Sequence, residues 1–310
     1  MMPAETALAD LHRAFRDELL RRGLLISLGV DGLYGRSGVF EHLIDRINAA
    51  ISTVGDPDRP EVIRFPPGIG KWQLEKSGYT RKFPQLAGTV YSFFGSDREH
   101  RALIEMLDKD GDRTVGQEST QVALTPAACY GVYPTVAARG RLSDDGALVD
   151  VYAFCFRNEP SIDPARMQMF RQREHVRVGT HEQTVAFREL WMSRGRALVE
   201  SFGLPCEVAA ATDPFFGRAG KLLATQQREE HLKFELLVPI TSKEAPTACV
   251  SFNYHRDLFG RAWSIETAAG EPAHSACVGF GVERIALALF KHHGFAFEDW
   301  PRDVRDVLGL

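Results

Sequence analysis

Between Phe154 and Gly179 the chain reads FCFRNEPSIDPARMQMFRQREHVRVG, and this stretch sets the tightest limit on how the chain can fold. Both ends alternate in character while the middle carries Pro160, Ser161, Asp163 and Pro164, which predicts two antiparallel strands joined by a long loop. Alternate residues of a strand face opposite ways. Cys155, Arg157 and Glu159 therefore share one face of the first strand, with Phe154 and Phe156 behind them, and Phe170, Gln172 and Glu174 share a face of the second. The loop supplies Arg166, and Arg171, Arg173 and Arg177 follow. Guanidinium groups, a carboxylate and an aromatic ring on one hairpin suit a nucleoside triphosphate, through ion pairing to phosphate, hydrogen bonding to an exocyclic amine and stacking on a base. A solvated, salt-bridged hairpin accounts for the same charges, and charge content alone favours that simpler account.

Two sequence motifs tip the balance. The FRNE run, with Arg166 four residues before Phe170, resembles motif 2 of the class II aminoacyl-tRNA synthetases, and GFGVERIALALF over Gly279–Phe290 resembles their motif 3, with Arg284 as its arginine. Their order, separation and strand or helix context agree with that class. A helical pattern over 39–54, with Phe40, Leu43, Ile44, Ile47 and Ile51 on one face, precedes the strand-like EVIRFPP. This arrangement resembles motif 1, the dimer interface of the class, and implies a homodimer; an ordinary helix-to-strand connection fits the residues as well. The resemblance implies an α+β fold, a mostly antiparallel sheet flanked by helices, forming one catalytic domain over residues 1–310.

VALTPAACYGVYPTV predicts a strand and then a helix capped by Thr125, with Pro126 at its first position and Cys129 in its first turn. Taken alone, a buried cysteine among small residues is packing. Within a class II fold, however, Cys129, Glu174 and Cys277 converge on one cavity. Two thiolates and a carboxylate suit one Zn2+ per chain, with the fourth tetrahedral position open to the amino group of an amino acid. The pattern is similar to the zinc-dependent, atypical seryl-tRNA synthetases of methanogens, and closer to their truncated relatives, the amino acid:[carrier protein] ligases. Cys155, Cys206 and Cys249 read as structural.

This resemblance implies ATP-dependent activation of a small amino acid, glycine first and alanine second, to an aminoacyl adenylate. The aminoacyl group would then pass to the phosphopantetheine thiol of an acidic carrier protein. By motif correspondence Arg157 holds the α-phosphate, Glu159 the adenine amino group and Phe170 one face of the base. Arg166 reaches the terminal phosphates, and Arg284 the γ-phosphate or the other face of the base. Mg2+ accompanies ATP, its protein ligands unassigned. Asp213, at a strand end, either contacts the substrate ammonium or starts an Asx-type turn before Pro214. Arg218, Lys221 and Arg228 on one helix form either a docking face for the carrier or a solvated charged side. Lys233 and Glu235 share a strand face directed at the site, and Ser251, Asn253 and His255 share another, His255 reading as a hydrogen-bonded structural residue.

Composition weighs on the acceptor. The formal net charge of −4 and the single short helix ahead of the catalytic region speak against charging of tRNA, which is one alternative; a non-catalytic nucleotide-binding paralogue is another. That first helix carries Leu8, Leu11, Phe15 and Leu19 and stops at Gly23, and LLISLGVDGLYGRSG follows as a short strand and a flexible connection. Five cysteines without CxxC spacing, no bilayer-length apolar run and no signal-peptide core suggest a cytoplasmic protein away from any membrane.

Overall fold

The computed structural model describes residues 4–109, 111 and 113–310. Helix α1 (Ala4–Arg21) leads into strands β1 (Leu25–Val30) and β2 (Leu33–Arg36), then α2 (Gly38–Gly55) and β3 (Glu61–Arg64). Next come β4 (Gly68–Gly70), α3 (Lys71–Lys76), α4 (Tyr79–Lys82), β5 (Thr89–Phe93), α5 (Asp97–Asp108), β6 (Gln117–Leu124) and α6 (Val132–Ala137). The long hairpin β7 (Ala147–Phe156) and β8 (Met169–Gly179) is followed by α7 (His181–Ser201), β9 (Glu207–Ala210), α8 (Gly217–Glu229) and β10 (Lys233–Val238). Strand β11 (Thr247–Arg256), α9 (Leu258–Trp263), β12 (His274–Gly281), α10 (Val282–His293) and α11 (Arg302–Leu308) complete the chain.

Seven strands form the central sheet in the order β3-β7-β8-β12-β11-β10-β9. Only the β3–β7 pair is parallel, so the expected mostly antiparallel α+β sheet is present. One core lies between the sheet and α1, α2, α7, α10 and α11; it holds Phe40, Ile44, Trp191, Phe280 and Phe290. A second core on the other face holds Tyr133, Val149, Val176 and Phe259, and a small satellite packs Leu74, Tyr79 and Leu86 under the β4-β6-β5 sheet.

Strand β8 divides its residues between these layers. Phe170, Gln172 and Glu174 face a cavity, whereas Arg171, Arg173 and His175 face α2, α7 and α10. Arg171 is buried and donates to Glu283 of α10 at 2.7 Å and to both carboxylate oxygens of Glu41 of α2 at 2.5 and 2.9 Å; Arg36 also pairs with Glu283, at 3.2 Å. Arg173 grips Asp150 of β7 at 2.7 and 3.0 Å and donates to the Asn48 carbonyl of α2. Charge thus ties together the three segments that resemble motifs 1, 2 and 3.

Three local expectations are corrected. Arg157 and Glu159 lie just past β7, which ends at Phe156, although the Arg157 amide still donates to the Gln168 carbonyl at 2.9 Å. Thr125 caps no helix: its amide donates to the Pro67 carbonyl and its own carbonyl accepts from the Phe156 amide. A 3₁₀ turn, Ala128–Gly131, carries Cys129, and α6 starts at Val132. The glycine-rich stretch after α1 is a hairpin, not a flexible connection; Gly32, at φ +79°, closes its two-residue loop, and Asp31 and Gly32 accept hydrogen bonds from Gln168.

Glu283→Ala would leave buried Arg171 and Arg36 short of a counter-charge, so unfolding in urea should show a loss of about 3–5 kcal/mol. Burial alone would raise the Asp150 carboxyl, yet Arg173 outweighs it and holds the group below its ordinary 3.8. A depressed folded pKa stabilises above the unfolded value and loses that stabilisation as pH falls through the folded one. Asp150→Asn should therefore flatten the acid limb of the stability curve below about pH 4.

Candidate active site

Cys129, Arg157, Glu159, Phe170, Glu174, Asp213, Cys277 and Arg284 line one cavity of about 340 Å³. Its floor is sheet: β8 and β12 are neighbours with Glu174 opposite Gly279, and Cys277 lies two residues along β12. Gly279 is small for a reason, since a Cβ there would come within 3.1 Å of Gln172 and 3.2 Å of Ser251. One wall comes from α4 and the segments around it, with Tyr79, Phe83 and Tyr130 in ring contact, and the opposite wall from β10 and β11.

Within the cavity, Arg157 is fixed by donation from Nε to the Pro126 carbonyl at 3.1 Å, and its guanidinium lies 5.4 Å from the Phe170 ring centroid. Arg284 is held by the carbonyls of Ala165 and Ala248, both at 2.8 Å; burial and neighbouring guanidinium groups push its pKa down, which favours an anion nearby. Glu159 lines the cavity, and Arg166, half-exposed and outside the lining, pairs with it at 2.9 Å.

Ligand atoms of Cys129, Glu174 and Cys277 lie within 4.8 Å of one another, and all three residues are buried. The Cys129 amide donates to Glu174 at 3.1 Å. The hydrogen bond from Cys129 to Cys277, then burial and the nearby carboxylate, push the Cys129 thiol well above its usual range. Burial raises Glu174 against the pull of both thiols, and it raises Cys277 against the bond from Cys129. A dry pocket resists three negative charges. A divalent cation supplies the compensating charge, and two sulfurs with one oxygen at this spacing match the borderline-soft, tetrahedral preference of zinc. The residues therefore fit the metal.

Asp213 sits in a network unseen in the sequence. Lys233 donates to it at 2.6 Å and also meets Glu235 at 3.1 Å; Gln227 of α8 donates to its other oxygen at 2.8 Å and accepts from its amide at 2.7 Å. Burial would raise the Asp213 carboxyl, and Lys233 overrides that to hold it low. The shared face of Lys233 and Glu235 was legible; Gln227 was not, because pairing between a helix and a distant strand end leaves no periodic trace. Helix α8 buries only Gly220, yet Leu223, Gln226 and Gln227 line the cavity, so it lies across the opening. Arg218, Lys221 and Arg228 are exposed, about the outer side of the same helix.

The fold is that of the catalytic domains of class II seryl-tRNA synthetases. The M. kandleri seryl-tRNA synthetase, solved in complex with A. aeolicus tRNASec, superposes with a TM-score of 0.80 at 20% identity over 95% of this chain and 60% of its own. The Pyrococcus horikoshii enzyme complexed with ATP gives 0.68 at 14% identity over 97% and 63%. No family model matches the chain. Two Bradyrhizobium diazoefficiens proteins, amino acid--[acyl-carrier-protein] ligases 1 and 2, are each 47% identical, over 93% and 94% of this chain and 88% and 87% of their own lengths. At that likeness and coverage, the chain belongs to the amino acid--[acyl-carrier-protein] ligase family of enzymes. No helix among the described residues is long and apolar enough to cross a membrane.

Two hydrogen bonds worth about 1 kcal/mol each join Gln227 to Asp213, so Gln227→Ala should raise the undocked population of α8 roughly tenfold or more. Limited proteolysis within residues 217–229 should accelerate accordingly, with the global unfolding midpoint little changed.

Proposed function

We propose that this enzyme activates a small amino acid with ATP and passes it to the phosphopantetheine thiol of a carrier protein. The observation that carries the reading is the meeting, in one cavity, of the motif arginines with the Cys129, Glu174 and Cys277 cluster. In the first half-reaction a carboxylate oxygen of the amino acid attacks the α-phosphorus of ATP, the bond to pyrophosphate breaks, and an aminoacyl adenylate remains. Arg157 neutralises the α-phosphate, and Glu159 accepts from the adenine amino group. Phe170 stacks on the base, Arg284 meets the γ-phosphate or the base's other face, and Arg166, released from Glu159, turns to the terminal phosphates. Zinc held by Cys129, Glu174 and Cys277, when bound, supplies a Lewis-acid position for the substrate's amino group, and Mg2+ travels with the triphosphate. Asp213 adds a fixed negative charge on the amino-group side. In the second half-reaction the carrier's thiol attacks the acyl carbon, a thioester forms and AMP departs with the bonding electrons.

The names of the 47%-identical relatives favour a carrier protein as acceptor. Arg218, Lys221 and Arg228 give α8 a basic outer side beside the cavity mouth, which suits an acidic partner steered by opposite charge. We further assign a single catalytic domain, a homodimer joined through α2 and β3, a cytoplasmic location, and no role for tRNA. Glycine is the preferred substrate and alanine the next, the two separated by no more than about 1–3 kcal/mol, the worth of one methylene.

Amino-acid-dependent exchange of pyrophosphate into ATP, run across all twenty amino acids without tRNA or carrier, should proceed with glycine or alanine. Arg157→Ala should reduce it by roughly 100-fold or more. Exchange with none of the twenty from folded, zinc-supplied protein would point to a nucleotide-binding regulator, and serine as the best substrate by kcat/KM would overturn the substrate assignment. Metal analysis should find one zinc per chain, diminished in Cys277→Ser; a full complement in a variant lacking all three ligands would refute the metal site.

A further inference from the structure

Strand β11 does not run evenly past Cys277. Tyr254 pairs with Ala276 and Arg256 with Ser275, which leaves His255 as an extra residue, and Arg256 beside it adopts φ +55°. A non-glycine residue in the left-handed region costs about 1–3 kcal/mol, and such bulges re-aim a side chain. Packing of an ordinary core histidine requires neither. At this bulge His255 shares the cavity-facing side with Ser251 and Asn253: Nε2 lies 3.8 Å from Cys277 Sγ, while Nδ1 lies 3.2 Å from the Ser275 hydroxyl and 3.4 Å from that of Tyr133. Phe259 fixes the ring edge-to-face at 5.1 Å and itself stacks on Tyr133 at 3.8 Å. A neutral imidazole has one donor nitrogen. Hydroxyls can donate or accept; with Ser275 and Tyr133 donating to Nδ1, the proton resides on Nε2, facing the sulfur.

A second donor reaches the same atom from the same strand. Asn253 stands directly opposite Cys277 in the ladder, and its Nδ2 lies 3.4 Å from Sγ and 3.3 Å from Ser251 Oγ. Cys129, in contrast, donates its backbone amide to Glu174, and the neighbours that shift its thiol are the other two members of the cluster.

We infer that Asn253 and His255 are positioning residues for the metal-binding sulfur of Cys277: both donate N–H groups to its thiolate, and the Tyr133 hydroxyl sets the His255 tautomer that allows it. The inference rests on the zinc reading above. Donated hydrogen bonds hold the sulfur in place and favour its thiolate over the protonated thiol that competes with metal, while making Cys277 a weaker electron donor than Cys129. The two thiolates are thereby unequal.

The test uses the full chain with cobalt(II) in place of zinc, read by thiolate-to-cobalt charge-transfer absorption, and zinc affinity measured by competition with a chromophoric chelator. His255→Phe and Asn253→Leu should each weaken zinc binding about 10–100-fold. Each should also move the charge-transfer band to lower energy, because a sulfur stripped of a donor gives up its electron more readily. His255→Gln, which retains a donor, should recover part of both effects. Tyr133→Phe deletes one oxygen from a stacked ring pair and should give the same signs at smaller size, which keeps the test available if His255→Phe fails to fold. Wild-type cobalt uptake with unaltered affinity and bands in the variants would overturn the inference and leave the zinc site standing. A wild-type protein that takes up neither metal would overturn both.

Discussion

The buried ion pair between Arg171 and Glu283 is the joint on which the remaining geometry hangs. Glu283 receives both the backbone amide and the guanidinium of Arg171, so strand β8 and the start of α10 are fixed to each other at two points rather than one. Arg284 follows directly in sequence, and Phe170 directly precedes Arg171. The cavity's aromatic ring and one of its arginines are therefore both a single residue from a charge-locked position. Glu41 extends the lock to α2, and Arg173 with Asp150 repeats the device one pleat further along. Buried ion pairs are a weak source of net stability, but losing one partner is costly, and that sharp penalty is what a precisely spaced site requires.

How much of this could be read in the chain beforehand depended on whether the signal was periodic. Alternation on β8 separated the cavity-facing Phe170, Gln172 and Glu174 from the arginines behind them, and the structure keeps that division. The helix over 39–54 is likewise where its pattern puts it. Local rules failed where distant backbone took over. Thr125 and Pro126 have the chemistry of a helix start, but Pro67 and Phe156 claim the backbone groups of Thr125, and the turn is delayed to Ala128. The β1–β2 hairpin was announced by an Asp-Gly pair between alternating apolar residues, a recognised turn signal that the surrounding glycines obscured.

The cavity-facing constellation owed more to motif order than to spacing. Cys129, Glu174 and Cys277 are separated by 45 and then more than 100 residues, and nothing in the linear chain brings them together; only a sheet in which β8 and β12 are neighbours does so. The Asp213, Lys233 and Gln227 network had no motif to announce it. Its members lie on a strand end, a strand and a surface helix, and they meet because β9 and β10 form the far edge of the same sheet.

Helix α8 contributes one buried glycine to the fold, whereas the sheet and its two cores stand without it. Substitutions along its outer side are consequently almost free of any folding penalty, while those along the sheet are not. The surface beside the cavity mouth can drift quickly as the floor stays fixed, so paralogues of this chain can part company in what they meet at α8 long before they differ in the chemistry carried beneath it.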